Sequence, residues 1–335
     1  MVNIALAVFL LIPFFKTDGS AGYTFFPGQH ADTTIIRLAD PAILFHQGNY
    51  YLYGTGGNVN NGFLVYTSAD LKTWKGPSGA TDGYALTKGD AYGTKGFWAP
   101  QVFYRDKKFY MAYTADENIA IAESGSPLGP FKQKEIKAIS GQGKQIDPYV
   151  FFDDNGKKYL YHVRLTEGNR LFVAELNDDL SDIKPQTVQL CLAATDQPWE
   201  NTANSRWPVS EGPTVLKHKS LYYLFYSAND FRNVDYAVGY AVSDNAIGPW
   251  KKYEKNPVIS RKNMGVNGTG HGDFLKDKSG NLVYVFHTHN TDSVVSPRLT
   301  AVVKGKFVAD TSNVDRMRID EKSFHFLHLT PKRAK

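Results

Sequence analysis

Ala39-Asp40-Pro41-Ala42-Ile43-Leu44 opens a run that passes through Phe45-His46-Gln47-Gly48 into Asn49-Tyr50-Tyr51-Leu52-Tyr53. An apolar run, a short turn and a second run dense in tyrosine mark two strands joined by a hairpin. The same order returns four times. Ala99-Pro100-Gln101-Val102 leads to Lys108-Phe109-Tyr110-Met111. Ile146-Asp147-Pro148-Tyr149-Val150-Phe151 leads through the tight turn Asp154-Asn155-Gly156 to Lys158-Tyr159-Leu160-Tyr161. Ser210-Glu211-Gly212-Pro213-Thr214-Val215 leads to Leu221-Tyr222-Tyr223-Leu224. His271-Gly272-Asp273-Phe274 leads through Lys278-Ser279-Gly280-Asn281 to Leu282-Val283-Tyr284-Val285.

Repeat starts near 40, 99, 147, 211 and 271 are too widely spaced for a solenoid and suit four-stranded blades. No amphipathic helical pattern of comparable length interrupts them. The expected fold is therefore all-β, a five-bladed β-propeller, in which radial repetition protects the sheet edges. Two β-sandwiches in tandem are the alternative, but no Pro/Ser-rich or charged linker divides the chain near its middle. At 335 residues one all-β domain accounts for the length, and residues 22–335 are expected to form it.

The formal net charge is +5, from 38 basic and 33 acidic residues, and only the tail Lys332-Arg333-Ala334-Lys335 forms a basic run. That spread disfavours a nucleic-acid partner. Residues 1–21 hold an apolar core, Ile4 to Phe15, followed by Lys16-Thr17-Asp18 and then small residues around a cleavage site expected near Ala21. They are expected to be a signal peptide, with a buried strand as the alternative, and the apolar stretch is too short to span a membrane. A secreted or periplasmic monomer is the corresponding expectation. The sole cysteine, Cys191, excludes an intramolecular disulfide.

Asp40, Asp147 and Glu211 read as matching places in three of the five units, so closing the ring would bring three carboxylates together. Asp-Pro and Glu-Gly-Pro can also simply start strands. Ala99 before Pro100, however, shows that an acid is not needed there. Inverting cleavage of a glycosidic bond needs one carboxylate to deprotonate water and one carboxylic acid to protonate the leaving oxygen, roughly 6.5–9.5 Å apart. A third carboxylate nearby would raise the acid's pKa.

These motifs, in order with Gly270-His271-Gly272, resemble glycoside hydrolase family 43 from Asp40 to about Val303. The resemblance implies a five-bladed propeller that hydrolyses arabinose- or xylose-containing carbohydrates. By motif, Asp40 would be the general base, Asp147 the pKa-tuning residue and Glu211 the general acid. Trp98 resembles the aromatic wall of the sugar pocket and Arg298 the arginine aimed at sugar and base. His271 resembles the axial histidine that lies beside a calcium ion or water cluster in many members; the chemistry itself would need no cofactor. A core tryptophan, a surface charge and a plain hydrogen-bonding histidine are the respective alternatives. The openings Ala39-Asp40-Pro41-Ala42 and Ser210-Glu211-Gly212 depart from the invertase-like propellers and disfavour fructan chemistry. The expected activity is that of an exo-acting α-L-arabinofuranosidase, with β-xylosidase or arabinanase next and a non-catalytic sugar-binding propeller as the other class.

Overall fold

Each of the five openings becomes the innermost strand of an antiparallel sheet. The computed structural model describes residues 34–310 and 314–330, so the expected signal segment, 1–21, lies outside the described residues. Blade I contains Ala39–His46, Asn49–Thr55 and Tyr66–Ser68, extended by Thr73–Trp74 through the pairing of Thr67 with Lys75. Blade II contains Trp98–Arg105, Lys108–Ala115 and Asn118–Ser124, with Lys132 bridging to Glu123 at its outer edge. Blade III is Gln145–Phe152, Lys158–Leu165, Asn169–Glu175 and Gln189–Leu192. Blade IV is Ser210–His218, Leu221–Ala228, Ala237–Ser243 and Lys251–Lys252, and blade V is Gly270–Lys276, Leu282–Thr288, Leu299–Val308 and Arg316–Phe326. The one α-helix among the described residues is the single turn Arg261–Met264.

Apolar clusters fill the space between successive blades. Tyr53 meets Phe97 and Tyr113 between blades I and II, and Ile119 meets Val150 and Leu160 between II and III. Tyr161 and Val173 meet Leu224 between III and IV, and Phe225 meets Tyr284 and Phe286 between IV and V. The last cluster, with Leu52 and Trp74 against Val285 and Val302, joins blade V to blade I. Burying each large side chain of this kind stabilises the fold by about 1.5–3 kcal/mol, so the ring is held by its wedges. Backbone bonds complete the closure: Ile36 N donates to Leu327 O at 2.8 Å and Thr300 N to Ile36 O at 2.9 Å. His328–Leu329 pairs in parallel with Thr73–Trp74. This is the five-bladed propeller, and the tandem sandwich is excluded.

Every inner strand carries a bulge at its mouth. Ala39 pairs with Thr55 but Ala42 with Tyr53, and the same slip recurs at Trp98/Gln101, Ile146/Tyr149, Glu211/Thr214 and Gly270/Gly272. The extra residue turns left-handed: Asp40 at φ 47°, Ala99 at 47°, Asp147 at 57°, Gly212 at 59° and His271 at 46°. One reading from the sequence is thereby corrected. Asp40 and Asp147 are equivalent, but Glu211 stands one residue earlier, in register with Trp98, and Gly212 holds the bulge. The reason is steric, because a Cβ on residue 212 would lie 2.8 Å from His271 Cγ.

Ala99 accepts the strained backbone without contributing a functional side chain. Left-handed backbone costs a non-glycine residue roughly 1–2 kcal/mol, whereas glycine adds about 0.4–1 kcal/mol of unfolded-state entropy. Ala99→Gly is therefore expected to raise the unfolding free energy by about 0.5–1 kcal/mol, read as a higher urea midpoint; a lower midpoint would show that position 99 is unstrained.

Candidate active site

The bulges aim their side chains at one end of the propeller axis. There Asp40, Trp98, Asp147, Glu211, His271 and Arg298 line a single pocket of about 440 Å³, with Trp207 and Phe231 on its rim. All six residues singled out in the sequence thus converge. Asp40, Asp147 and Glu211 are 8%, 5% and 8% exposed, so each carboxylate loses most of its hydration and its charge depends on its partners.

Asp40 is well compensated. Arg298 Nη1 donates to Oδ1 at 3.0 Å, and His271 Nδ1 stands 3.4 Å from the same oxygen. Burial pushes the carboxyl up, but Arg298, then His271 and His287, outweigh it and hold Asp40 well below the usual carboxylate range. Asp40 is ionised. Arg298 itself lies over the ring of Phe231, 4.5 Å from its centroid.

Glu211 has the opposite balance. Burial pushes its carboxyl up to about 7, aided by the charge of Asp40, while hydrogen bonds from Tyr236 and Asn169 pull it down. Tyr236 Oη donates to Oε1 at 2.8 Å and Asn169 Nδ2 to Oε2 at 3.0 Å. Asp147 is pushed well above the usual range by burial, then by the charges of Glu211 and Asp40. Burial pushes the pKa of His271 down, while the charge of Asp40 pulls it up.

The bulge amides explain how these side chains are oriented. The amides of Ala99, Asp147 and His271 donate to Thr55 Oγ1, Thr114 Oγ1 and Ser227 Oγ, and that of Asp40 to His287 Nδ1. Each acceptor comes from the second strand of the preceding blade. In blade III the corresponding residue is Val163, paired with Ile146, which has no acceptor. Gly212 N donates instead to Asp147 Oδ2 at 3.2 Å, which fixes that carboxylate toward blade IV.

Asn169, Tyr236, Trp207 and His287 line or support the site without having been singled out in the sequence. Asn169 follows an ordinary Glu-Gly turn and Tyr236 lies in a loop, with no motif to mark them. Trp207 could have been found, since a tryptophan four residues before an acid-bearing bulge has the same aromatic character as Trp98.

His271 points its Nδ1 at Asp40 and, at 3.8 Å, at Asp147. Beneath it lies an axial cavity of about 20 Å³, bounded by Gln101, Tyr149 and Asp273 among others, with room for about one water. No group of three His, Cys, Asp or Glu residues that could hold a metal ion occurs among the described residues. Calcium takes about six to eight oxygen ligands, so an ion beside His271 would depend on water for most of them.

A propeller that sets an ionised aspartate against a glutamic acid raised toward neutrality, across one sugar-sized pocket, is built as a glycoside hydrolase. The chain belongs to glycoside hydrolase family 43: the model for Glycosyl hydrolases family 43 matches residues 33–311. It is similar to the crystal structure of an endo-1,4-beta-xylanase from Bacteroides thetaiotaomicron, with 40% identity, TM-score 0.81, and coverage of 90% of this chain and 100% of that one. A thermostable family-43 glycoside hydrolase matches at 32% identity and TM-score 0.75, over 92% of this chain and 98% of that one. A beta-D-galactofuranosidase of Aspergillus niger is 24% identical over 308 residues, 85% of this chain and 82% of that protein.

Two titrations check the electrostatics. With carbon-13 in the glutamate carboxyls, Glu211 is expected to titrate near pH 7. Because its repulsion with Asp147 is mutual, Asp147→Asn should move that midpoint down; an unmoved midpoint would uncouple the pair. Arg298→Met removes the cation that favours the Asp40 anion, so Asp40 should titrate higher, and an unchanged Asp40 would assign its ionisation to other groups.

Proposed function

We propose that this enzyme is an inverting, exo-acting glycosidase that releases terminal α-L-arabinofuranose from arabinose-containing plant polysaccharides or oligosaccharides. In this reading Asp40 takes a proton from water as the water oxygen bonds to the anomeric carbon. The bond from that carbon to the leaving oxygen breaks while Glu211 delivers its proton to that oxygen. Arg298 keeps Asp40 anionic, and Asp147 shares in holding the proton on Glu211 until it is needed. The observation that carries the reading is the opposed setting of two buried carboxylates in one pocket, Asp40 beside the Arg298 guanidinium and Glu211 among neutral donors. A non-catalytic sugar-binding propeller would have no use for that opposition.

The furanose preference has two supports. A pocket of about 440 Å³ walled by Trp98, Trp207 and Phe231 suits a terminal sugar and part of its neighbour. In addition, β-D-galactofuranose, named for the Aspergillus relative, has the ring configuration of α-L-arabinofuranose with one more exocyclic carbon. Xylose is the second reading, favoured by the name of the Bacteroides structure at 40% identity. The enzyme would act as a monomer, secreted or periplasmic. Any calcium beside His271 would be structural and held largely through water.

Aryl α-L-arabinofuranoside, aryl β-D-galactofuranoside, aryl β-D-xyloside, arabinan and xylan, with anomer-resolved NMR of the products, test the assignment. Fastest release of inverted arabinose is expected, and retained configuration would exclude the mechanism. Asp40→Ala and Glu211→Gln should each lower kcat by at least about 100-fold with the fold intact. For the wild-type enzyme, kcat/KM should fall as pH rises past about 7, because the acid must be protonated; a flat profile up to pH 9 would remove Glu211 from that role.

A further inference from the structure

Trp207 is the most exposed large aromatic on the pocket wall, 47% accessible, yet its indole nitrogen is committed inward. Nε1 donates to Asn169 Oδ1 at 2.9 Å. Asn169 in turn gives its Nδ2 to Glu211. The main chain of Asn169 is fixed to the segment that carries Trp207. Its amide donates to Pro208 O at 2.9 Å, and its carbonyl accepts from Ser210 Oγ at 3.0 Å. Gly168 before it, at φ 120°, has no room for a side chain, since a Cβ would lie 2.5 Å from Pro208 O.

These bonds hold the backbone of Asn169 but do not choose between the two ends of its side-chain amide, which are nearly equal in shape. The indole does choose, because it is a donor only and must face an oxygen. Nδ2 is thereby left to face Glu211. With the amide reversed, Oδ1 would accept the acid's proton and hold it away from a leaving group.

Trp207 also lies on the side of the pocket where a leaving group must sit. An acid protonates the departing oxygen, so the departing sugar lies beside Glu211, whereas Asp40 and Arg298 occupy the water side. A large, half-exposed ring there offers a flat apolar face to the C–H face of a sugar, with its polar handle already used.

On the glycosidase reading above, we propose that Trp207 is both the platform for the leaving-group sugar and the positioning residue of the acid, acting through Asn169. The enzyme is thus built for a glycosidic leaving group, and occupancy of that platform and delivery of the proton share one side chain.

Trp207→Phe and Trp207→Ala separate the two roles, the first keeping a ring without a donor. The other groups facing Glu211, namely Asp40, Asp147, Tyr236, His271 and Arg298, are unchanged in both. In Trp207→Phe the Glu211 carboxyl should titrate at higher pH, since a donor to its ionised form is lost. The kcat on oligosaccharides should fall about 10-fold, a partial loss of general acid catalysis, with KM nearly kept. A dinitrophenyl glycoside, whose leaving group needs no proton, should be hydrolysed at close to the wild-type rate. Trp207→Ala should add a rise in KM confined to oligosaccharides. A Glu211 midpoint unmoved in Trp207→Phe, in protein with wild-type circular dichroism, overturns the inference whether or not the protein turns over any substrate. A midpoint that moves in Trp207→Phe, together with a wild-type protein that hydrolyses none of these substrates, would instead leave the relay standing and remove the glycosidase reading.

Discussion

The site depends on a backbone constraint: one extra residue, turned left-handed, at the mouth of each innermost strand. A regular strand would alternate its side chains between the neighbouring blades and send none along the axis. The bulge breaks that alternation where the five strands come closest, so Asp40, Asp147 and His271 project toward a common point from three blades. Each strained non-glycine residue costs about 1–3 kcal/mol. The apolar wedges between blades offset that cost, and the bulge amides are satisfied by side chains of the preceding blade. The amide of Asp40 bonds to His287 of blade V, across the seam where the ring closes. Closure of the fold and placement of Asp40 are therefore the same event.

Burial would protonate every acid in the pocket, and the structure counters it unequally. Asp40 receives a guanidinium at 3.0 Å. Glu211 receives neutral donors, which lower its pKa less than burial raises it. Asp147 receives the amide that Val163 leaves without an acceptor. A guanidinium placed on one side divides three similar groups into an anion and two acids raised above the usual range.

The repeated hairpins made the blades legible, because alternation and turn residues are local properties. Asp40 and Asp147 were legible for the same reason, since each sits in an Asp-Pro step that marks the bulge. Glu211 was found but misplaced by one residue, because its Glu-Gly-Pro step hides a steric fact, the proximity of His271 to residue 212, that belongs to another blade. Asn169 and Tyr236 could not be read from the chain. They act through contacts 42 and 25 residues away in sequence, fixed by the packing of loops rather than by any pattern.

Position 99 has the same bend as positions 40 and 147, with only a methyl group on it. It is a vacancy in the functional sense: the backbone shape is complete, the amide is already bonded to Thr55, and the buried methyl group borders only the small axial cavity. Architecture and reactivity are inherited separately in such a ring. A polar group small enough for the axial cavity could enter by a change of one codon on the bend already present, and an old one could be dropped as simply. The propeller is in this sense a socket board, on which variation in chemistry costs little in folding.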